Sequence, residues 1–186
     1  MGLDATAFET ATLLDPHERG EQCGEDGHVH AFIIDPDFHR SLDGLVADRC
    51  YDTSGRTVRV SNSYSGHGEF RSHLALTFLG VGPQAVWRAP DEYAERPFFE
   101  LIHFADNEGT IGPEAAARLA TDFADGSERW LSTAPVDHWT RGKYEEWAVA
   151  FALAADTGLV FRVVVRVGED EAEMIALHIR HEKEPS

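Results

Sequence analysis

Two acidic residues, Asp106 and Glu108, stand beside Gly109 in the stretch DNEG, shortly after His103. Carboxylates held in a glycine loop can act as general bases, as metal ligands or as acceptors for a ribose hydroxyl. We therefore predict Asp106, Glu108 and His103 as candidate catalytic residues. The alternative is a tight turn, in which Gly109 supplies a positive φ angle and Asp106 accepts backbone N–H groups.

The order of residues in this loop resembles the middle of an EF-hand calcium loop, with Asp106 and Glu108 at the third and fifth ligand positions. The match fails at both ends. The first ligand position would be Phe104 and the last would be Ala115, so the opening carboxylate and the closing bidentate glutamate are missing. We therefore do not expect calcium binding of the EF-hand type.

A second candidate site is the hydroxyl-rich stretch 61–68, SNSYSGHG, which we predict to be a loop between a strand and a helix from Glu69 to Leu79. Free N–H groups at a helix start can bind an anion, and Arg71 could add a bidentate contact. The alternative is a capped loop whose serines satisfy backbone donors. The candidate ligand-binding residues are Ser63, Tyr64, Ser65, Gly66 and Arg71.

A possible metal pair lies in the apolar stretch from His28 to Asp35, which predicts a buried strand. His28 and His30 are two residues apart and would point to the same face of that strand. Such a pair can bind a metal if a third ligand comes from elsewhere. With 10 histidines in the chain, satisfied or surface histidines are the alternative.

The most consistent helix signals lie between Pro113 and Gly126. Pro113 suits the first helical position, and Glu114 places a negative charge at the positive end of the helix dipole. Glu114, Arg118 and Asp122 are four residues apart and predict charged pairs on one face. The apolar stripe of this helix consists of Ala116, Leu119, Ala120 and Phe123.

Other stretches predict the remaining elements. A third long helix runs from Trp139 to Gly158, after a linker that contains Trp130. Alternation favours a β-hairpin from residue 159 to residue 180, with a turn at 168–173. Turn residues interrupt the chain at 51–56, and 37–48 predicts a short helix. We predict one α+β domain over residues 1–186, with a mainly antiparallel sheet of about five strands and three or four helices on one face.

Lys and Arg number 16 and Asp and Glu number 33, which gives a formal net charge of −17. This charge argues against direct binding to nucleic acid or to an anionic membrane. Residues 1–14 have neither a basic start nor an apolar core, and no stretch approaches a membrane-spanning length. The two cysteines, Cys23 and Cys50, favour buried or idle thiols in a reducing compartment. We therefore expect a cytoplasmic protein, either a monomer or a homodimer.

Three segments resemble a family of uncharacterised actinobacterial and phage proteins: MGLD at residues 1–4, YSG followed by Arg71, and the stretch from Phe99 to Pro113. Proteins of that family begin MGLD and carry a YSG…R segment and an ELI-(N/H)-F-(S/A)-D-x-EG-x-IGP segment, each before a helix. The resemblance spans about Ser61 to Arg162 besides the first four residues. It implies no particular activity and no particular cofactor.

The resemblance does suggest which two loop-to-helix junctions would form a pocket if the fold brings them together, although their adjacency cannot be read from the sequence. Our leading hypothesis is an accessory protein that binds a small polar ligand or a protein partner through the stretches 61–71 and 103–112. The alternatives are a hydrolase that uses Asp106 and Glu108 at the same pocket, and an acidic inhibitor of a nucleic-acid enzyme. The cofactor, if there is one, is unknown from the sequence.

Overall fold

A computed structural model describes residues 2–14, 27–33, 40–104, 109–133 and 138–165. The strands lie in one sheet in the order β2-β3-β1-β5-β4, and each neighbouring pair is antiparallel. The predicted α+β fold with about five antiparallel strands is therefore confirmed. The strands are β1 (Gly2–Leu13), β2 (His28–Ala31), β3 (Arg49–Ser63), β4 (Gly109–Ile111) and β5 (Leu159–Val165).

The helices include two long ones that pack against each other and against the sheet. Strand residues Ala5, Val60, Ile111 and Val160 belong to the same hydrophobic core as these helices. The helices are α1 (Tyr64–Leu74), α2 (Pro83–Arg88), α3 (Pro90–Tyr93), α4 (Phe99–His103), α5 (Pro113–Ser132) and α6 (His138–Ala154). A π-helical turn, Ala75–Leu79, continues α1.

Five aromatic rings form a closed circuit in this core. Neighbouring ring centroids lie between 4.5 and 6.3 Å apart. Tyr144 in α6 also donates its hydroxyl hydrogen to the carbonyl of Phe123 in α5 at 2.7 Å. The circuit therefore fixes α5 against α6 and against the chain that leads into α4. In order, its members are Phe98, Phe123, Tyr144, Trp130 and Phe78.

The two edge strands of the sheet approach each other. Thr110 in β4 donates its N–H to Phe32, just after β2, at 3.0 Å, and Ile33 forms a bridge with Gly109. These contacts curl the sheet and cover part of both edges, where unpaired backbone groups would otherwise be open to other strands. The smaller core cluster Val29, Ala31, Leu42, Tyr51 and Leu159 is separate from the helix-packed core.

The predicted turn at 51–56 is wrong, because these residues continue β3. They pair with the second half of β1, and the register shifts between Phe8 and Thr10. Glu9, at the shift, accepts the N–H of Arg56 at 2.9 Å and also binds its guanidinium. Gly55, with a φ of 81°, therefore lies in a β-bulge of a long strand and not in a chain reversal.

Two predicted helix boundaries are also wrong. α1 begins at Tyr64 instead of Glu69, because Ser63 caps it by accepting the N–H of Gly66 at 3.0 Å. α5 continues past Gly126 to Ser132 and includes Trp130, which was expected in a linker. In the region 37–48, the described residues 40–42 form a single 3₁₀ turn in place of the predicted helix.

The predicted strand from residue 159 is confirmed as β5, whereas the predicted turn at 168–173 and the returning strand lie outside the described residues. β5 pairs with β1 on one edge and, at residues 160–162, with β4 on the other.

Cys50 is buried, which was one of the two alternatives, but it is disulfide-bonded and is therefore not a free thiol. Disulfides persist mainly in oxidising environments, so the cysteines do not favour a reducing compartment. Cys23, the other cysteine, lies outside the described residues. Among the helices described, none has the length and apolar character needed to cross a membrane.

Two helical glycines offer a test of how tightly α5 is packed. A Cβ atom on Gly126 would lie 2.8 Å from Cζ of Phe78 and 2.9 Å from the hydroxyl oxygen of Tyr144, whereas a Cβ on Gly142 would meet nothing within 4 Å. We expect Gly126→Ala to destabilise the protein by about 1–3 kcal/mol through overpacking. Gly142→Ala should stabilise it by about 0.5–1 kcal/mol through helix propensity. Urea denaturation of both variants measures this, and equal stabilisation would contradict the packing.

Candidate functional site

The two predicted loop segments are neighbours in space. Arg71 in α1 donates from Nη1 to the carbonyl oxygen of Phe104, which follows α4, at 2.7 Å. Its guanidinium carbon also lies 4.8 Å from the ring centroid of Trp87. Arg71 is only 2% exposed. These contacts give it a structural role that joins α1 to the end of α4, so its substitution would test folding before it tested ligand binding.

The hydroxyl-rich stretch is not the predicted loop. Ser63 ends β3 and caps α1, while Tyr64, Ser65 and Gly66 form the first turn of α1. The side chains of Ser63, Tyr64 and Ser65 are exposed, but Gly66 is buried. A Cβ on Gly66 would lie 3.0 Å from the ring of Trp139. The cap therefore already satisfies one N–H of the proposed anion site.

Of the three catalytic candidates, only His103 lies among the described residues. His103 ends α4, is buried, and stacks on Phe99 with ring centroids 4.8 Å apart. Asp106 and Glu108 lie outside the described residues. The hydrolase hypothesis based on these acids therefore stays a prediction.

The predicted histidine pair lies on β2 as expected. His28 pairs in register with Asp52, and its Nε2 is 4.0 Å from the Oδ1 of that residue. His30 instead stacks on Phe32, with ring centroids 5.9 Å apart. Among the described residues, no three potential ligands are grouped closely enough to hold a metal ion.

A different site lies between α4, α5 and the turn at residue 40, and we call it the polar cleft. Its volume is about 170 Å³. Glu100, whose side chain is 4% exposed, accepts a hydrogen bond from Nε of Arg118 at 2.6 Å and lies 3.6 Å from Nη2 of Arg40. The residues that line the polar cleft are Arg40, Ala94, Glu95, Arg96, Pro97, Glu100, Arg118 and Asp122.

Arg118 does not form the charged pairs that its spacing on α5 predicted. Its Nη2 binds Oδ2 of Asp43 at 2.7 Å, and its Nε binds Glu100. These partners come from other parts of the chain. Arg118 thus compensates the buried charge of Glu100. Among the described residues, it forms no ion pair with Asp122.

Asp122 is held against a strained part of the backbone. Phe98 has a φ of 62°, which is unusual for a bulky residue, and it is fully buried. The Oδ2 atom of Asp122 accepts the N–H of Phe98 at 2.7 Å. Strain of this kind costs on the order of 1–3 kcal/mol and is concentrated at functional sites. Asp122 therefore stabilises a conformation that the sequence does not favour locally.

The pKa of Asp122 is raised from 3.8 to about 6, chiefly by burial and to a smaller extent by the carboxylates of Glu100 and Asp125. The hydrogen bond from Phe98 and the charge of Arg118 oppose this shift. A carboxyl group that titrates near neutral pH in a cleft is a candidate functional group. Asp122 and Pro97 also line a second pocket of about 220 Å³, next to Phe98 and Arg129.

Sequence reasoning missed the polar cleft because its members are far apart in the chain. Glu100 was included in the family-like segment, but nothing marked it as buried. Asp122 was read as one of three charges at i,i+4 spacing, a pattern that usually marks a solvated helix face. The strained conformation of Phe98 has no sequence signature, since it comes after a proline in an ordinary apolar run.

Comparisons of this chain with protein-family models, with curated proteins and with solved structures find no match. The functional argument therefore depends on the geometry of the described residues.

The raised pKa of Asp122 predicts a pH dependence of stability. The folded state binds the proton of Asp122 more tightly than the unfolded state does. Protonated Asp122 therefore contributes to the free energy of unfolding below about pH 4, and this contribution is lost as the pH rises through about 6. Asp122→Asn stays neutral and keeps an acceptor for Phe98. Its free energy of unfolding, relative to wild type, should therefore increase between pH 4 and pH 7. Chemical denaturation at several pH values measures this difference.

The matched control is Glu128→Gln on the exposed surface of α5, because Asp125 itself contributes to the raised pKa of Asp122 and Glu128 is not among its causes. This substitution removes the same charge without removing the buried carboxyl group. The raised pKa of Asp122 would be contradicted if the stability difference between Asp122→Asn and the wild type did not change with pH, or if it matched that of the control.

Proposed function

We propose that the protein binds a small zwitterionic ligand with an amine and a carboxylate, of the size of a free amino acid, in the polar cleft. The observation that carries the proposal is Asp122, a carboxyl group with a pKa of about 6 on the wall shared by two pockets. This keeps the expected class of function, small polar ligand binding, and moves the site away from Ser63 and Arg71.

Asp122 is suited to receive a donor group. Its Oδ2 atom accepts the N–H of Phe98, and within the described part of the chain no donor reaches its Oδ1 atom. Its raised pKa reflects the cost of holding a negative charge in a half-buried place near other carboxylates. An ammonium group beside Oδ1 would remove that cost, so a cationic donor is favoured over a neutral one.

Arg96 is placed to bind the carboxylate end of such a ligand. It lines the same cleft, its side chain is exposed, and it forms no ion pair with the described residues. Arg40 and Arg118 differ from it, since Glu100 and Asp43 already engage them. A carboxylate could therefore bind Arg96 in a bidentate manner without breaking an existing pair.

The size of the cleft limits the ligand. A volume of about 170 Å³ is between five and six times the ~30 Å³ that a water molecule occupies in the liquid. This is room for a ligand with few heavy atoms and is below the range of about 300–1,000 Å³ that is typical of drug-sized ligands.

Calorimetric titration with the free amino acids, with acetate and with ethylamine tests the proposal. We expect a zwitterion to bind more tightly than either of the two single-charge compounds. Asp122→Asn should weaken this binding about tenfold or more, as loss of a charged hydrogen bond does. Affinity in the wild type should also fall as the pH drops through about 6, because Asp122 becomes protonated.

Asp91→Asn, on the exposed surface of α3, is the matched control and should bind like the wild type. Arg96→Gln should reduce affinity for the zwitterion and leave affinity for ethylamine unchanged. Equal binding by wild type and Asp122→Asn would refute the proposed site.

The pKa of Asp122 also favours a second function, general acid–base catalysis in the same cleft. A group that titrates near neutral pH can both accept and donate a proton during turnover. This would be a hydrolase that uses Asp122 in place of Asp106 and Glu108. Release of product from an ester or phosphate substrate, abolished in Asp122→Asn, would distinguish catalysis from binding alone.

A further inference from the structure

A groove of about 380 Å³ runs between α5 and α6, separate from the polar cleft. Small side chains recur at four-residue spacing on both helices, so they follow one another along a continuous channel. The alanines that line this channel are Ala120 and Ala124 from α5, and Ala148 and Ala152 from α6.

The margins of this groove are apolar and exposed. Leu131 and Val149 line it and are 53% and 56% exposed. Exposed aliphatic side chains beside an apolar channel are typical of a surface on which another segment packs. Arg141 and Glu145 also line the groove, and their opposite charges favour an occupant of neither sign. The groove therefore selects its occupant by apolar contact.

The hydroxyl groups in the groove are already engaged. Tyr144 donates to the carbonyl of Phe123, and Ser127 donates to the carbonyl of Ala124. A polar occupant would therefore gain little from them, whereas apolar side chains would remove Leu131 and Val149 from water.

The chain leaves β5 close to the start of α6. Val165 pairs with Gly2, and Gly2 pairs on its other side with Ser63. Lys143 in α6 donates to the carbonyl oxygen of Ser61 at 2.8 Å. Because neighbouring strands lie about 4.8 Å apart, Val165 lies about two strand spacings from the end of β3 that contacts α6.

The stretch that follows β5 contains an apolar run. Residues 166–186 lie outside the described residues, and residues 166–173 are mainly polar and acidic. Fully extended, residues 166–173 span at most about 26–29 Å. Arg141 marks one end of the groove two residues before Lys143, which is within this reach. The run consists of Met174, Ile175, Ala176, Leu177 and Ile179.

We propose that the run at 174–179 docks in the groove between α5 and α6 of its own chain and covers Leu131 and Val149. Because residues 166–173 tether the run, its effective concentration at the groove is of the order of millimolar, so a weak apolar contact is enough to hold it there. A second copy of the protein is a poorer occupant, because each copy carries a formal charge of −17 and the two would repel. The proposal is independent of the function assigned to the polar cleft.

Methyl-resolved NOE spectra of the full chain test where the run lies. We expect contacts from the methyl groups of Ile175, Leu177 or Ile179 to those of Leu131 or Val149. These contacts should persist on dilution, because they form within one chain. Backbone contacts from residues 174–179 to β5 would instead place the run in a returning strand and would overturn the proposal.

Tryptic cleavage after Arg180 measures how often the run leaves the groove, since the protease must bind residues on both sides of the bond. Val149→Asp, at an exposed position, should raise the cleavage rate about tenfold or more, because each buried CH₂ group that is lost changes the equilibrium about fourfold. Thr121→Asp adds the same charge at an exposed position of α5 outside the groove. It is the matched control and should be cleaved like the wild type.

A pair of substitutions distinguishes this contact from a general loosening of the chain. Leu177→Asp should raise the cleavage rate as Val149→Asp does, and the double variant should be cleaved no faster than either single variant, because both remove the same contact. Equal cleavage of Val149→Asp and Thr121→Asp would overturn the proposal. So would additive effects in the double variant, or methyl contacts that disappear on dilution and thus belong to a second copy.

Discussion

The circuit of five aromatic rings is the interaction on which the rest of this structure depends. It joins Phe98 to Phe123, and Tyr144 to Trp130, through centroid distances of 4.9 and 5.0 Å. Aromatic pairs of this kind contribute about 0.5–1.5 kcal/mol beyond the area that they bury. The circuit holds α5 and α6 side by side and fixes the chain before α4, so the polar cleft is positioned by this core.

The same circuit explains how Phe98 can keep its unfavourable backbone conformation. Its ring is fully buried and packs against Phe78 at 4.5 Å. Release of the strain would require that ring to leave the core, which costs about 1.5–3 kcal/mol and so offsets a strain of about 1–3 kcal/mol. Asp122 then accepts the N–H of Phe98 and is drawn into the half-buried place that raises its pKa. The chemistry of the polar cleft is thus a consequence of core packing.

The charges near the polar cleft illustrate a balance between burial and compensation. Glu100 is almost completely buried and is compensated by Arg118 and, at longer range, by Arg40. Asp122 is less buried but lacks an ion pair among the described residues, so its proton affinity rises instead. In a protein with a formal charge of −17, the three arginines that line the cleft also offset part of the surrounding negative field.

The sequence by itself determined the class of the fold and several of its elements. Alternation predicted β5, Pro113 predicted the start of α5, and the order of strand and helix signals predicted an antiparallel α+β domain, because these depend on neighbours in the chain. The predictions made from single glycines were wrong. Gly55 lies in a bulge opposite Glu9 and not in a turn, and Gly126 does not end α5 but allows Phe78 and Tyr144 to approach it.

The candidate sites were decided by the tertiary structure. The sequence marked Arg71 as a candidate ligand-binding residue, but neither its contact with Phe104 nor the burial that gives it a structural role was visible there. The partners of Arg118 are Asp43 and Glu100, which lie 75 and 18 residues away in the chain. Sequence spacing predicts which residues share a face of one element. It does not predict which faces meet, and the pKa of Asp122 depends on faces that meet.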